Sequence, residues 1–349
     1  MRSPWIRALV GGVISVVCVA LVLRGVRLDE VWRALAATDP VAIGATILVM
    51  LLTTVVRTWR WQTLIAGLGR APYLPTFSSL MVGYLVNNIV PLRTGELVRV
   101  YLLNRATSLS RGGLLATVAL ERTLDGLFLV GCLAVLVRLL PFPDWAYRAG
   151  LLAGLVFLGV ALALGLASSR RVGVLVRSQV LARLPARPGT AATQLWDRVS
   201  EGVRALRRPD RAALVLAQTG CVWLLEFATA YLALVALRLQ VPVAAAVLLT
   251  VAVGLGGIVP SGPSAVGTYE FLVVSSLAVF AVASGPALAL AALLHGLTFL
   301  MTNTIGLLAL AAGWTFSGGA ASRPWAALSQ TLRGGGLASP APSPQEPNG

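Results

Sequence analysis

The sequence predicts an all-α fold, a polytopic membrane helix bundle, and three observations carry that prediction. Apolar residues make up 57% of the 349 positions and charged residues 12%, with a mean hydropathy of +0.83. One soluble core cannot hide that much apolar surface, so a bilayer is the expected solvent. Apolar runs recur at close to the ~20 residues that cross ~30 Å of hydrocarbon, and lipid leaves no partner for unpaired backbone groups, which makes those runs helices.

Taken in order, full spans are expected at 8–23, 41–56, 119–140, 149–167, 212–237 and 286–313. Met1 to Leu23 has the outline of a signal peptide, with Arg2 and Arg7 before an apolar stretch, but no small-x-small cleavage site follows. It reads as a retained first span. Two other apolar stretches behave differently. Thr76 to Pro91 covers only ~24 Å at the helical rise and then meets Pro91, Arg93, Gly95 and Glu96 before the chain turns apolar again. Val241 to Pro260 runs into Ser261-Gly262-Pro263-Ser264-Ala265-Val266-Gly267 and resumes as Phe271 to Ala283. Each is expected to be a re-entrant hairpin, two half-helices meeting at a Pro/Gly break. That makes about six full spans plus two hairpins, or about eight membrane segments.

All 28 basic residues are arginine, against 13 acids, for a net charge of +15. Two readings of this stand: affinity for lipid phosphates through planar guanidinium groups, or a GC-rich codon bias combined with positive-inside topology. A cytoplasmic N-terminus puts Arg57, Arg60, Arg70, Arg99, Arg105 and Arg111 on the inner side, with the arginine-rich loop 168–211 and the C-terminus. The expected setting is therefore multi-pass in a bacterial cytoplasmic (inner) membrane, with both termini cytoplasmic. Residues 1–316 form the membrane domain and 317–349, rich in Gly, Ser, Ala and Pro, a disordered tail. Within the loop, Leu195, Trp196, Val199, Val203 and Leu206 fall at helical spacing, as an interfacial helix or a solvated one.

In this topology one hairpin enters from each face. Ile-Val-Pro occurs at both breaks, as Ile89-Val90-Pro91 and Ile258-Val259-Pro260, each followed by a Gly-plus-Glu element, Gly95-Glu96 and Gly267-Glu270. Such symmetry marks an inverted repeat whose broken helices meet at a midplane site; the plainer alternative is that Pro and Gly punctuate two loops.

Ionisable residues inside spans cost ~2.5–3.5 kcal/mol each and are normally paired. Arg93, Glu96 and Arg99 are spaced to share a helix face, with one positive charge in surplus beside the N-terminal end of the half-helix starting near Gly95, a cradle suited to a phosphate. Asn87 and Asn88 add uncharged donors and acceptors. Glu121, Arg122 and Asp125 form a second cluster, whose acids are placed to hold Arg57, Arg60 or Arg93. Glu226, Glu270 and His295, the one histidine, are open to two roles, structural ion pairing or a proton relay. Cys18, Cys132 and Cys221 lie far apart in apolar runs, so no disulfide, metal or cofactor is expected. Walker, GxSxG, HExxH and CxxC motifs are missing, and the chain is not expected to be an enzyme.

Four blocks in order, Arg57-Thr-Trp-Arg60-Trp61, Asn87-Asn88-Ile-Val-Pro91-Leu-Arg93-Thr-Gly95-Glu96-Leu-Val-Arg99, Glu121-Arg122-Thr-Leu-Asp125 and Pro260-Ser261-Gly-Pro263-Ser-Ala-Val-Gly267-Thr-Tyr-Glu270, resemble the lysylphosphatidylglycerol synthase transmembrane family of flippase-like proteins. The resemblance covers roughly residues 57 to 313, and the second block is the specific one. It implies a domain that moves a modified phospholipid between leaflets, with Asn88, Pro91, Arg93, Gly95, Glu96, Arg99, Glu121, Arg122, Pro260, Gly267 and Glu270 on the family's motif positions. Two departures stand out: Gly262-Pro263-Ser264-Ala265 replaces a Pro-Gly-Gly-like turn, and His295 stands where an arginine is expected. No soluble synthase domain is expected after the membrane part, so the synthase reaction is not carried over.

The leading expectation is a membrane protein that binds and passes an anionic or modified polar lipid. Its headgroup site draws on Asn87, Asn88, Arg93, Glu96, Arg99, Glu121, Arg122 and Asp125, and its second hairpin contributes Pro260, Ser261, Gly267 and Glu270. Its partners are a membrane phospholipid or glycolipid, and no nucleic acid. Two rivals are a non-transporting partner of a separate lipid-modifying synthase or glycosyltransferase, and a membrane-embedded transferase using the Glu121–Asp125 carboxylate pair.

Overall fold

The computed structural model describes residues 4–24, 26–90, 94–140, 208–257 and 262–316, with isolated positions and short runs between 148 and 197. Its helices in chain order are α1 (Pro4–Leu23), α2 (Leu28–Ala36), α3 (Pro40–Ile65), α4 (Tyr73–Ile89), α5 (Gly95–Thr107), α6 (Arg111–Leu139), α7 (Pro209–Ala236), α8 (Val243–Gly256), α9 (Thr268–Ala278) and α10 (Ser284–Phe316), with a 3-10 turn at Pro263–Ala265. The expected span 149–167 is helical where described, as at 154–160. Pro91, Leu92, Arg93, Pro260, Ser261, most of the arginine-rich loop and the tail from 317 lie outside the described residues.

Among the described residues, three helices are long and apolar enough to cross a membrane: Pro40–Ile65, Pro209–Ala236 and Ser284–Ala311. Their outer faces are greasy; Leu48, Leu224, Leu300 and Leu308 are each 64–67% exposed, an arrangement that suits lipid and not water. Local signals explain the starts. Asp39 caps α3 by accepting the Val41 N–H at 2.8 Å, with Pro40 pre-set at the first helical position. Ser110 caps α6 by accepting the Gly113 N–H at 3.1 Å.

The broadest helix pair is α3 against α7, antiparallel, with the Asp39 N–H bonded to Ala236 O at one end and Arg211 Nη1 to Ala66 O at the other. Thr46, Thr53, Thr54, Thr58 and Thr63 are all buried on α3, and each satisfies its hydroxyl on a carbonyl one turn back, as Thr58 does on Thr54 at 2.9 Å. Small, internally satisfied side chains let two helices approach where lipid supplies no hydrophobic drive. Helix α10 packs on α4, α9 and α2; a β-carbon on its Gly306 would press on the Met81 carbonyl and Leu85 of α4.

The short helices come as two broken pairs. Helices α4 and α5, of 17 and 13 residues, pack on each other across 91–93, and α8 and α9, of 14 and 11 residues, across 257–267. None reaches the ~20 residues of a crossing. Around the first pair, Leu68 lies against Gly113 and Gly69 against Leu109, so the chain leaves α3 and enters α6 at one end of the bundle. Around the second, Asp39 meets Ala236 while Glu30 of α2 lies against Gly285, so the chain leaves α7 and enters α10 at the other end.

Two expected boundaries shift, and helix α6 starts at Arg111 where 119 is expected. Helix α3 continues past 56 to Ile65 and carries Arg57 and Arg60 within it, because both guanidinium groups find carboxylates inside the bundle. Helix α2, with Asp29, Glu30 and Arg33 on a short amphipathic turn, was not anticipated; nine residues give too little periodicity to stand out.

The first broken pair is closed by glycine. A β-carbon on Gly95 would collide with the Gly83 carbonyl and with the Asn87 side chain, whereas one on Gly131 of α6 would meet nothing. Gly95→Ala is expected to cost about 1–3 kcal/mol, read as a lower melting temperature in detergent, with Gly131→Ala melting like the parent.

Candidate functional site

Arg60, Trp61 and Arg57 project from the last turns of α3, Glu121, Arg122 and Asp125 from the middle of α6, and Glu96 and Arg99 from the first turns of α5. Their spacing brings six charged groups together. Arg60, fully buried, donates from Nη1 to Asp125 Oδ1 at 2.6 Å and from Nη2 to Glu121 Oε1 at 3.0 Å. Arg99 Nη2 lies 3.0 Å from Glu121 Oε2 and 2.7 Å from Glu96 Oε2. Arg122 completes the cluster, 3.1 Å from Glu96 Oε1 and 3.7 Å from Asp125 Oδ2.

Three guanidinium groups thus face three carboxylates. The positive surplus expected from Arg93, Glu96 and Arg99 is not what these six groups form, because Glu121 and Asp125 enter the same cluster and Arg93 lies outside the described residues. Indoles finish the job that water would do at a surface. Trp223 Nε1 donates to Asp125 Oδ1 at 3.0 Å, and the Arg99 guanidinium lies 4.7 Å above the Trp61 ring, whose Nε1 donates to Thr117 at 3.1 Å. Arg99 is 1% exposed, whereas the Arg122 side chain is 36% exposed and lines the adjoining cavity.

Beside the cluster is a chamber of about 360 Å³ where α3, α4, α6, α7, α8, α9 and α10 meet. Its polar wall holds Arg57, Tyr84, Asn87, Asn88, Arg122, Glu226 and Tyr269, and its apolar wall includes Met50, Leu249, Val253, Leu294 and Met301. Arg57 Nη2 pairs with Glu226 Oε1 at 2.7 Å across the α3–α7 seam. Asn88 donates to Thr302 at 2.9 Å and so ties α4 to α10. Asn87 accepts the Gly95 N–H at 2.8 Å, capping α5 from the end of α4 and holding the two half-helices end to end.

Of the expected site residues, Asn87, Asn88 and Arg122 therefore line the chamber, while Glu96, Arg99, Glu121 and Asp125 stand behind it as the ion-pair cluster. The Glu121 and Asp125 carboxylates both accept from guanidinium groups. From the second hairpin, the Gly267 N–H donates to Glu270 Oε2 at 2.5 Å, and Glu270 Oε1 lies 2.6 Å from His295 Nδ1 on α10. Sequence reasoning did not find Tyr84, Tyr269, Trp223 or the chamber threonines Thr53, Thr54, Thr229, Thr250, Thr298 and Thr302. Thr53 and Thr54, in register with Thr46 and Thr58 on α3, were the available signal.

Arg60→Ala takes from buried Asp125 its nearest guanidinium and from Glu121 one of two. A loss of about 3–5 kcal/mol is expected, read as loss of the monodisperse peak in detergent. Arg60→Lys, one ammonium in place of a two-pronged guanidinium, should recover only part of it.

The family model described as Lysylphosphatidylglycerol synthase TM region matches residues 8–306. A UPF0104 membrane protein of Methanocaldococcus jannaschii is 28% identical over 116 residues, 32% of this chain and 34% of that protein. The match thus spans about a third of the length of that curated relative.

Proposed function

On the premise that this chain belongs to the lysylphosphatidylglycerol synthase TM family, we propose that it binds a polar lipid by its headgroup in the chamber and passes it between leaflets. The observation that carries this reading is a chamber of about 360 Å³ that holds two guanidinium groups, a carboxylate and two amides inside a bundle whose outer surface is apolar. Buried charge of this kind is expensive and faces substrate paths when it persists. Arg122 offers its outward edge and Arg57 its charge to a headgroup phosphate. The Tyr84 hydroxyl, buried and without a partner among the described residues, is a ready donor to a phosphate oxygen. Glu226, opposite Arg57, recovers that arginine when the phosphate leaves, so release does not strand a cation in hydrocarbon. Acyl chains would remain in lipid throughout.

The broken pairs α4–α5 and α8–α9 are, in this reading, re-entrant hairpins entering from opposite faces of an inner membrane, related as an inverted repeat. What supports it is their length and their start and return at opposite ends of the bundle. Both termini are then cytoplasmic, with the arginine-rich loop.

Two experiments test these readings. In proteoliposomes carrying a fluorescent phospholipid, the parent chain should bring inner-leaflet lipid to an external quencher, and Arg122→Ala should slow this at least about tenfold, the loss of ~1.4 kcal/mol or more of headgroup binding. A parent rate equal to that of protein-free vesicles for anionic, zwitterionic and aminoacylated headgroups alike would refute lipid passage and favour a non-transporting partner of a lipid-modifying enzyme. For topology, Cys18, Cys132 and Cys221 are changed to serine and single cysteines are placed at Arg70, Leu109, Gln240 and Ala283. An impermeant maleimide should label the first two from one side and the last two from the other. Labelling of Arg70→Cys and Leu109→Cys from opposite sides would mean that α4 and α5 together cross the membrane.

A further inference from the structure

A second polar constellation lies at the turn between α8 and α9. His295 Nδ1 stands 2.6 Å from Glu270 Oε1, and His295 Nε2 stands 3.1 Å from the Ser264 hydroxyl. A carboxylate on one ring nitrogen keeps the proton there, which leaves Nε2 to accept the Ser264 O–H. Glu270 is itself anchored, since its Oε2 accepts the Gly267 N–H at 2.5 Å and its other oxygen is left to the imidazole. The Tyr269 ring packs on His295 with centroids 4.7 Å apart.

Serine, histidine and carboxylate linked in this order make a nucleophile with its own base and an orienting acid, an arrangement recognised by geometry and not by sequence spacing. The backbone adds to the case. Ser264 has φ +54° and Ala265 φ +57°, both in the left-handed region that residues with a β-carbon avoid. The turn is held there by the Ala265 N–H on Gly262 O at 3.0 Å and the Gly262 N–H on Ser15 Oγ of α1 at 2.9 Å. Backbone strain that the surroundings over-determine concentrates at functional positions. A clasp between α9 and α10 would be complete with Glu270 and His295; the strained serine adds nothing to it. The side chains of His295 and Glu270 are 15% and 18% exposed, so the group is sheltered yet reachable. Tyr269 and Leu294, their chain neighbours, line the chamber.

We infer that Ser264, His295 and Glu270 form an esterase-type centre acting on a carboxylic ester carried by a membrane lipid. His295 Nε2 takes the Ser264 hydroxyl proton as Oγ bonds to the ester carbonyl carbon. The carbon–oxygen bond to the alcohol then breaks, the alcohol leaves with that proton, and the acyl group stays on Ser264. Water, giving a proton to the same nitrogen, attacks the acyl-serine; the carboxylic acid departs and the Ser264 hydroxyl is restored. Glu270 is a positioning residue that holds the imidazole tautomer. The ester is either a glycerol–fatty acyl bond or an ester-linked headgroup substituent, which are one chemistry to this centre.

The purified full chain in micelles is treated with a fluorophosphonate, and the labelled residue is identified by peptide mass spectrometry. Ser264 should be labelled, Ser264→Ala should not, and His295→Ala should label at least about 100-fold more slowly. Glu270→Gln should lose at least tenfold and Glu270→Asp recover most of it, which a merely structural role would not produce. Size-exclusion and melting profiles confirm that each variant folds, and His295→Gln replaces His295→Ala if the latter does not. An unlabelled Ser264 in the parent chain, or undiminished labelling in the folded histidine variant, would overturn the assignment. Phosphatidylglycerol vesicles with a radiolabelled oleoyl chain, or with labelled lysine esterified to the headgroup, then distinguish the two ester sources. Release of either label supports the centre and names its ester; release of neither counts against it. None of these readouts depends on lipid passage.

Discussion

Arg60 sits at zero exposure between Glu121 and Asp125, and much of the bundle is arranged so that both its terminal nitrogens meet a carboxylate. An unpaired cation or carboxylate in hydrocarbon is costly enough to dictate helix placement. Arg60 fixes the rotation of α3 against α6; Glu121 passes the constraint to Arg99 and so to α5; Asp125 passes it to Trp223 and so to α7. Four helices are thus registered by one chain of charge-assisted hydrogen bonds, where apolar packing alone would let them slide.

That registration positions the chamber. Arg122 follows Glu121 on α6, so when Glu121 turns inward to meet Arg60 and Arg99, the next side chain along the helix is carried about 100° round toward the cavity. Asn87 and Asn88 divide their work in the same way at the end of α4. One caps α5 and the other reaches α10, and both still border the chamber. The polar lining is therefore the outward side of a scaffold whose inward side is held by ion pairs.

At the second break the arrangement is different. Glu270 is met by a histidine and a backbone amide, and no arginine is among its described partners. The 262–265 turn and His295 come together there through the Ser264–His295 contact. A motif search for GxSxG has no purchase on this group, since its members lie on a 3-10 turn, α9 and α10 and share no sequence spacing with known elbows.

Composition and the length of the apolar runs determined that this chain belongs in a bilayer as helices, because continuous runs of ~20 apolar residues satisfy their backbone in lipid as helices. The ends of α4 at Ile89 and α8 at Gly256 were legible too, since Pro and Gly follow each of them in the sequence. The sequence also pointed to Glu96, Arg99, Glu121, Arg122 and Asp125 as charges needing partners. It did not say which partner each would take: helical spacing is a local rule, whereas Arg60 meets residues more than sixty positions away. Only the tertiary structure decided which carboxylate each described guanidinium meets, that Arg122 and not Arg99 lines the chamber, and that Ser264 and His295 touch, because each depends on how helices distant in sequence rotate against one another.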